Sequence, residues 1–123
     1  MQVELRYLHT PDVVDDLSVY APQENDNFSI LIEMVVGPKG KDGEEVFDFI
    51  LCTPKWLMNK HGKEDIIWGR HYIIVFEYNY LRLHKKLTEY VSSIEEDTWD
   101  RITDKLSRIA HSEFEDYKPY RGS

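Results

Sequence analysis

A chain of 123 residues is long enough to bury a core without a metal or disulfide framework and too short for two independent domains, so residues 1–123 read as one domain. A hydrophobic fraction of 41% with 13% aromatics excludes a disordered chain, and no run of about 18 apolar residues is present to span a membrane. The net charge of −8, from 15 Lys and Arg against 23 Asp and Glu, argues against a nucleic-acid partner and for a basic protein.

The first residues, Met1-Gln2-Val3-Glu4-Leu5-Arg6, alternate polar with apolar side chains instead of forming a basic then apolar leader, which sets a cytoplasmic location as the expectation. Val3, Leu5 and Tyr7 carry the period of a half-buried strand ending at Thr10-Pro11. Pro11 to Asn27 has sparse apolar positions among Asp, Asn and Pro. It reads as the least ordered part, a loop with one helical turn around Val13 to Leu17.

Phe28, Ile30, Ile32, Met34 and Val36 define a second strand, and Gly37-Pro38-Lys39-Gly40-Lys41-Asp42-Gly43 a hairpin connection. The third strand, Glu45 to Thr53, places Phe47, Phe49 and Leu51 on one face. Pro54 cannot donate to a ladder but suits the first turn of a helix, so a short helix is predicted from Pro54 to His61. Ile66 to Asn79 carries the longest β signal, with Tyr72, Ile74, Phe76 and Tyr78 alternating against Ile73, Val75 and Glu77. Gly69 reads as a bulge or a close backbone approach within it.

The period then changes. Leu83, Leu87, Tyr90, Val91 and Ile94 form one helical stripe, and Trp99, Ile102, Leu106 and Ile109 another, with Asp97 or Thr98 as cap between them. Phe114 and Tyr117 are expected to tie down the tail, and Lys118 to Ser123 to fray. Strands followed by helices give an α+β fold, drawn as an antiparallel four-stranded meander with two C-terminal helices packed on one face. Leu31, Val35, Ile50, Ile73 and Val75 occupy the opposite phase, so the second face needs cover from the Pro11 to Asn27 loop, the Trp56 segment or a partner. A homodimer through this face is one such arrangement.

The five histidines show no His-x-His, His-x-x-x-His or His-Glu-x-x-His spacing, and no phosphate loop or Gly-x-Ser-x-Gly elbow occurs, so no metal and no cofactor is expected. Cys52, the single cysteine, reads as a small buried hydrophobe at a strand end. In an enzyme it would need His61 or His71 as a base within hydrogen-bond reach. Trp68-Gly69-Arg70-His71 with Glu77 gathers a cation, an imidazole and a carboxylate. Strand alternation keeps them from converging, so Trp68 reads as an anchor and Arg70 as an ion-pair or stacking residue.

In order and spacing, Val3-Glu4-Leu5, the Phe28 strand, Gly37-Pro38-Lys39-Gly40, Phe47-Asp48-Phe49, Cys52-Thr53-Pro54-Lys55-Trp56-Leu57, Trp68-Gly69-Arg70-His71, Thr98-Trp99 and Phe114-Glu115-Asp116-Tyr117 run over nearly the whole chain. This pattern resembles the immunity protein 8 family of bacterial polymorphic toxin systems. The resemblance implies an α+β fold with a characteristic tryptophan, for which Trp56, Trp68 and Trp99 are the candidates. It also implies a binder, not an enzyme, which neutralises a cognate toxin domain in the cytoplasm by stoichiometric occlusion.

Ten acids against two lysines lie between Asp12 and Asp48, a charge suited to a basic toxin such as a nuclease. Asp15, Asp16, Asp42, Glu44 and Glu45, concentrated in two loops, are the expected toxin-facing residues. A general protein-interaction module and a small enzyme using Cys52, His71 or Glu77 are the alternatives.

Overall fold

The computed structural model describes residues 1–113. The expectations for Phe114, Tyr117 and the terminal residues lie outside this range. In chain order the elements are β1 (Val3–His9), β2 (Ser29–Pro38), β3 (Glu45–Cys52), α1 (Pro54–His61), β4 (Tyr72–Ile74), α2 (Tyr80–Ser92), α3 (Trp99–Leu106) and β5 (His111–Ser112). The fold is α+β, and the sheet has the order β1-β2-β3-β4, with β5 also paired to β3.

Alternation in β2 and β3 builds the core. Ile30 lies opposite Leu51, Ile32 opposite Phe49 and Met34 opposite Phe47 in an antiparallel register, and all six are buried. A one-residue slip would turn each of them to the other face, so burial of one face fixes the register. β1 pairs antiparallel with β2, but its register shifts between Leu5 and Tyr7. That irregularity places Leu5 and Leu8 against the core and leaves Tyr7 exposed.

The β2–β3 hairpin turns through Gly40 and Gly43, whose φ values of 71° and 115° suit residues without a Cβ. Arg6 clamps it from β1, donating from Nη2 to the carbonyls of Pro38 (3.1 Å) and Lys41 (2.7 Å). Gly37 lies beneath that guanidinium, where an added Cβ would sit 2.4 Å from both Arg6 Nη2 and the Gly43 carbonyl oxygen.

Each helix begins at a side-chain cap. The Thr53 hydroxyl accepts from Trp56 N–H for α1, the Asn79 carbonyl oxygen from Arg82 N–H for α2, and the Thr98 hydroxyl from Arg101 N–H for α3. Thr53 is fully buried and its hydroxyl also accepts from Phe28 N–H at 3.3 Å, which joins the start of α1 to the start of β2. Leu83, Leu87 and Val91 of α2 and Ile102 and Leu106 of α3 share one cluster with the β2 and β3 core residues. Both helices therefore cover the same sheet face, as the two stripes predict.

The fourth strand differs from expectation in direction, length and phase. β4 runs parallel to β3, with Ile50, Leu51 and Cys52 opposite Tyr72, Ile73 and Ile74, so the sheet is mixed and not wholly antiparallel. The cause is the connection. Residues 53–71 include α1, and a crossover of that length returns the chain to the same end of the sheet, which a tight turn cannot do.

Only Tyr72–Ile74 is strand; the Ile66–Arg70 part of the expected run is exposed coil. Ile73 and Val75 pack on the core, whereas Ile74 and Phe76 are 52% and 81% exposed. At Gly69 an added Cβ meets nothing within 4 Å, so no close approach explains that glycine.

The Pro11–Asn27 loop is tied down more firmly than its composition predicts. Leu17 is buried in the core cluster, and the Tyr78 hydroxyl donates to its carbonyl oxygen. Tyr20 and Phe28 meet the Tyr78 ring edge to face at centroid distances of 5.1 and 5.6 Å. Asp16 starts the single turn, accepting on Oδ1 from Ser18 N–H at 2.9 Å. The loop thus closes one end of the core.

Two outcomes follow from these contacts. Gly37→Ala must displace the Arg6 clamp or the hairpin backbone and lowers stability by roughly 1–3 kcal/mol, read as a drop in the urea midpoint at constant slope. Burial pushes the Tyr78 hydroxyl from its ordinary value of 10.0 up to about 12, with Tyr20, Tyr80 and Asp16 adding to the shift. A raised folded-state value means the contribution is complete below pH 10 and lost as pH climbs toward 12. Tyr78→Phe costs about 1 kcal/mol near pH 8. Urea midpoints of the two proteins should converge between pH 10 and 12.

Candidate functional site

Three places on the molecule gather the residues that the sequence singles out, together with one feature that it does not. The first is the pair of acidic loops. Asp15 and Asp16 lie in the loop before β2, and Asp42 and Glu44 in the hairpin after it; all four are exposed. β2 has ten residues, so at ~3.3 Å per residue the two loops stand about 30 Å apart, at opposite ends of the sheet.

Hydrogen bonds from the backbone and side chain of Ser18 hold the Asp16 carboxyl below its ordinary value. Glu44 lies 4.0 Å from Arg6 Nη1. Glu45 is a different case: its two carboxylate oxygens lie 3.5 Å from Trp99 Nε1 and from Thr103 Oγ1, so it joins the start of β3 to α3.

The second place holds the residues of the enzyme alternative. Cys52 is fully buried, and burial pushes its thiol up, the reverse of the change that makes a cysteine nucleophilic. His71 points its Nε2 to the Ser107 carbonyl oxygen (2.9 Å) and to Arg70 Nε (3.0 Å), and its ring lies 5.8 Å from that of His111. Asp48 approaches His111 Nδ1 at 3.9 Å. Glu77 accepts from the Asn25 amide at 3.5 Å, at the end of the sheet closed by the Pro11–Asn27 loop. Among the described residues, no three His, Cys, Asp or Glu side chains are arranged to hold a metal ion. No helix among them is long and apolar enough to cross a membrane.

The tryptophans are the third group, and they part company. Trp99 packs half-buried against the core. Trp56 is half-buried on α1, edge to face with His61 at 5.7 Å, and His61 in turn meets Tyr72 of β4. Trp68 does not anchor a strand as expected, since it is 86% exposed on a coil segment that never joins the sheet. The whole of residues 62–70 around it is exposed.

The feature without a sequence signal is an open apolar groove of about 930 Å³ between the β4 segment and α2. Ile73 and Val75 form one wall, Leu83, Leu87 and Tyr90 the other, and Ile109 contributes from beyond α3. Arg82, Lys86, Glu77 and Glu89 stand at its rim. β4 is three residues long and last in the strand order, so no further strand among the described residues covers these side chains.

Comparison with known proteins adds one finding. No curated protein and no solved structure gives a match to the chain. The family model described as Immunity protein 8 matches residues 3–117, nearly the full length and every element described above. The chain therefore belongs to the immunity protein 8 family.

Proposed function

We propose that the protein binds a cognate toxin domain of a polymorphic toxin system in the cytoplasm and neutralises it by stoichiometric occupation of a surface that the toxin needs. The observation that carries this reading is the family match over residues 3–117. The site chemistry is consistent with binding: Cys52 is buried with its thiol raised, and exposed charge and apolar surface lie elsewhere on the molecule. The protein acts as a binder and not as an enzyme.

A net charge of −8 suits a basic toxin, of which a nuclease is the leading class, because an enzyme that handles phosphate backbones presents cations. Asp15, Asp16, Asp42 and Glu44 are exposed acids of the two loops and provide the steering field. Glu45 supports α3 instead. With a screening length of about 8 Å at physiological salt, loops about 30 Å apart act on different parts of an approaching toxin.

Co-expression of a cognate toxin domain, sought in the genes adjoining this one, with and without this chain tests the reading. Cells carrying both should grow and yield a one-to-one complex, and equal killing in the two cultures would overturn it. Within that complex, replacing Asp15, Asp16, Asp42 and Glu44 together by Lys should slow association by about tenfold or more at low salt and leave dissociation nearly unchanged. Glu45→Lys should instead lower the thermal midpoint. An association rate insensitive to the fourfold reversal would remove the steering role.

A further inference from the structure

The groove and the open edge of β4 form one feature. β4 ends the strand order, so its outer edge has no neighbouring strand among the described residues. Ile50 N–H bonds to the His71 carbonyl (3.1 Å) and Val75 N–H to the Cys52 carbonyl (2.9 Å), which turns the backbone groups of residues 71 and 75 toward β3. Alternation then directs those of Ile74 away from β3, to the open edge. Beside that edge the side chains of Ile74 and Phe76 are largely exposed, although both are apolar. Exposed edges of this kind are normally shortened, charged or covered. This one is short but carries no charge at Tyr72–Ile74 and adjoins an apolar wall that is open among the described residues.

The rim has its own chemistry. Arg82, Lys85 and Lys86 stand at i, i+3 and i+4 of α2 and so share one flank of the helix, with Glu89 one turn further. Across the groove Glu77 lies near Asn25, which donates to it. Three cations against two carboxylates make this a local excess of positive charge on a chain of −8. Two-fold pairing of β4 with β4 of a second copy would bring both sets of cations to one interface. A segment with carboxylates at its end would instead be complementary.

We propose that the open edge of β4 and the apolar groove beneath α2 receive an extended segment of the toxin, which adds as a strand, sets alternate apolar side chains against Ile73, Val75, Leu83 and Leu87, and places a carboxylate against Arg82 and Lys86. This rests on the toxin-binding reading above and gives it a second, separate contact surface. Main-chain hydrogen bonds and alternate side-chain pockets are the two sources of affinity in strand addition. The acidic loops govern approach, and the groove governs retention.

Two measurements test it. In the first, amide shifts are followed by NMR on addition of a nine-residue peptide of alternating Val and Thr with Glu at both ends, a matched peptide with Lys ends, and a matched peptide with Pro at alternate positions. The Glu-ended peptide should move the amides of Ile74–Asn79 and Arg82–Tyr90, the Lys-ended one should bind at least tenfold more weakly, and the Pro one should not bind. Lys85→Glu with Lys86→Glu should reverse the preference for end charge.

In the second, Ile74→Asp with Phe76→Asp, at exposed positions and checked for an unchanged thermal midpoint, is co-expressed with the toxin domain. Loss of protection with a dissociation rate raised at least tenfold is the expected result. Failure of the unsubstituted protein to protect overturns the toxin reading itself and with it the toxin as occupant. Full protection by the double variant, no shift at the named amides with any peptide, or a concentration-dependent dimer that shields those amides overturns the groove assignment and leaves the toxin reading intact.

Discussion

β3 has two hydrogen-bonding edges, and they are used unequally. One is paired continuously with β2, from Cys52 opposite Ser29 to Glu45 opposite Val36. The other is divided: β4 takes Ile50–Cys52 in parallel and β5 takes Phe47 and Asp48 antiparallel. Since both partners occupy the same edge, neither can extend past the other. β5 thus bounds β4 at its start, and the end of β3 at Cys52 bounds it at Ile74. The continuous edge supplies the rigid half of the molecule, with Phe47, Phe49 and Leu51 locked against Ile30, Ile32 and Met34.

The buried cluster lies between the β2–β3 pair and the two C-terminal helices, and the Pro11–Asn27 loop adds Leu17 to it. The exposed acids Asp15, Asp16, Asp42 and Glu44 hang from the ends of β2, outside that cluster, and can change without loss of core packing, whereas Leu17 cannot. Glu45 marks the boundary. It directly follows the exposed Glu44, yet its carboxylate lies against Trp99 and Thr103, so it belongs to the scaffold.

How far the sequence announces this arrangement depends on whether one residue pattern has one physical meaning. In β2 and β3 it does, because only one phase is strongly apolar and aromatic, and both strands form in the expected phase. Thr53-Pro54 likewise states a strand end and a helix start in two residues, and the helix is present. From Ile73 to Phe76 all four side chains are apolar, so period alone cannot say which pair is buried. Nor can it show that β4 is parallel, since the direction of pairing is set by the crossover through α1. Nothing near Leu17 in the sequence marks it as core, because its partner, Tyr78, is 61 residues away. The groove has no residue pattern of its own, because its walls come from segments that only the fold brings together, Ile73 and Val75 on one side and Leu83 and Leu87 on the other.

Electrostatics explains why an acidic protein can carry a basic stripe without self-contradiction. Fields from exposed charges decay over about one screening length, roughly 8–10 Å in physiological salt, which is far less than the length of β2. The chain's total of −8 therefore describes its long-range behaviour, while Arg82, Lys85 and Lys86 describe what a molecule feels once it is seated beside α2. A partner first responds to the sum and later to the local arrangement. A toxin that is basic overall and carries an acidic, extended segment meets both requirements, and a partner of uniform charge meets only one. Under the binding model proposed above, selectivity arises from the order in which the two fields act, with the acidic loops admitting many basic proteins and the groove retaining those with the complementary strand.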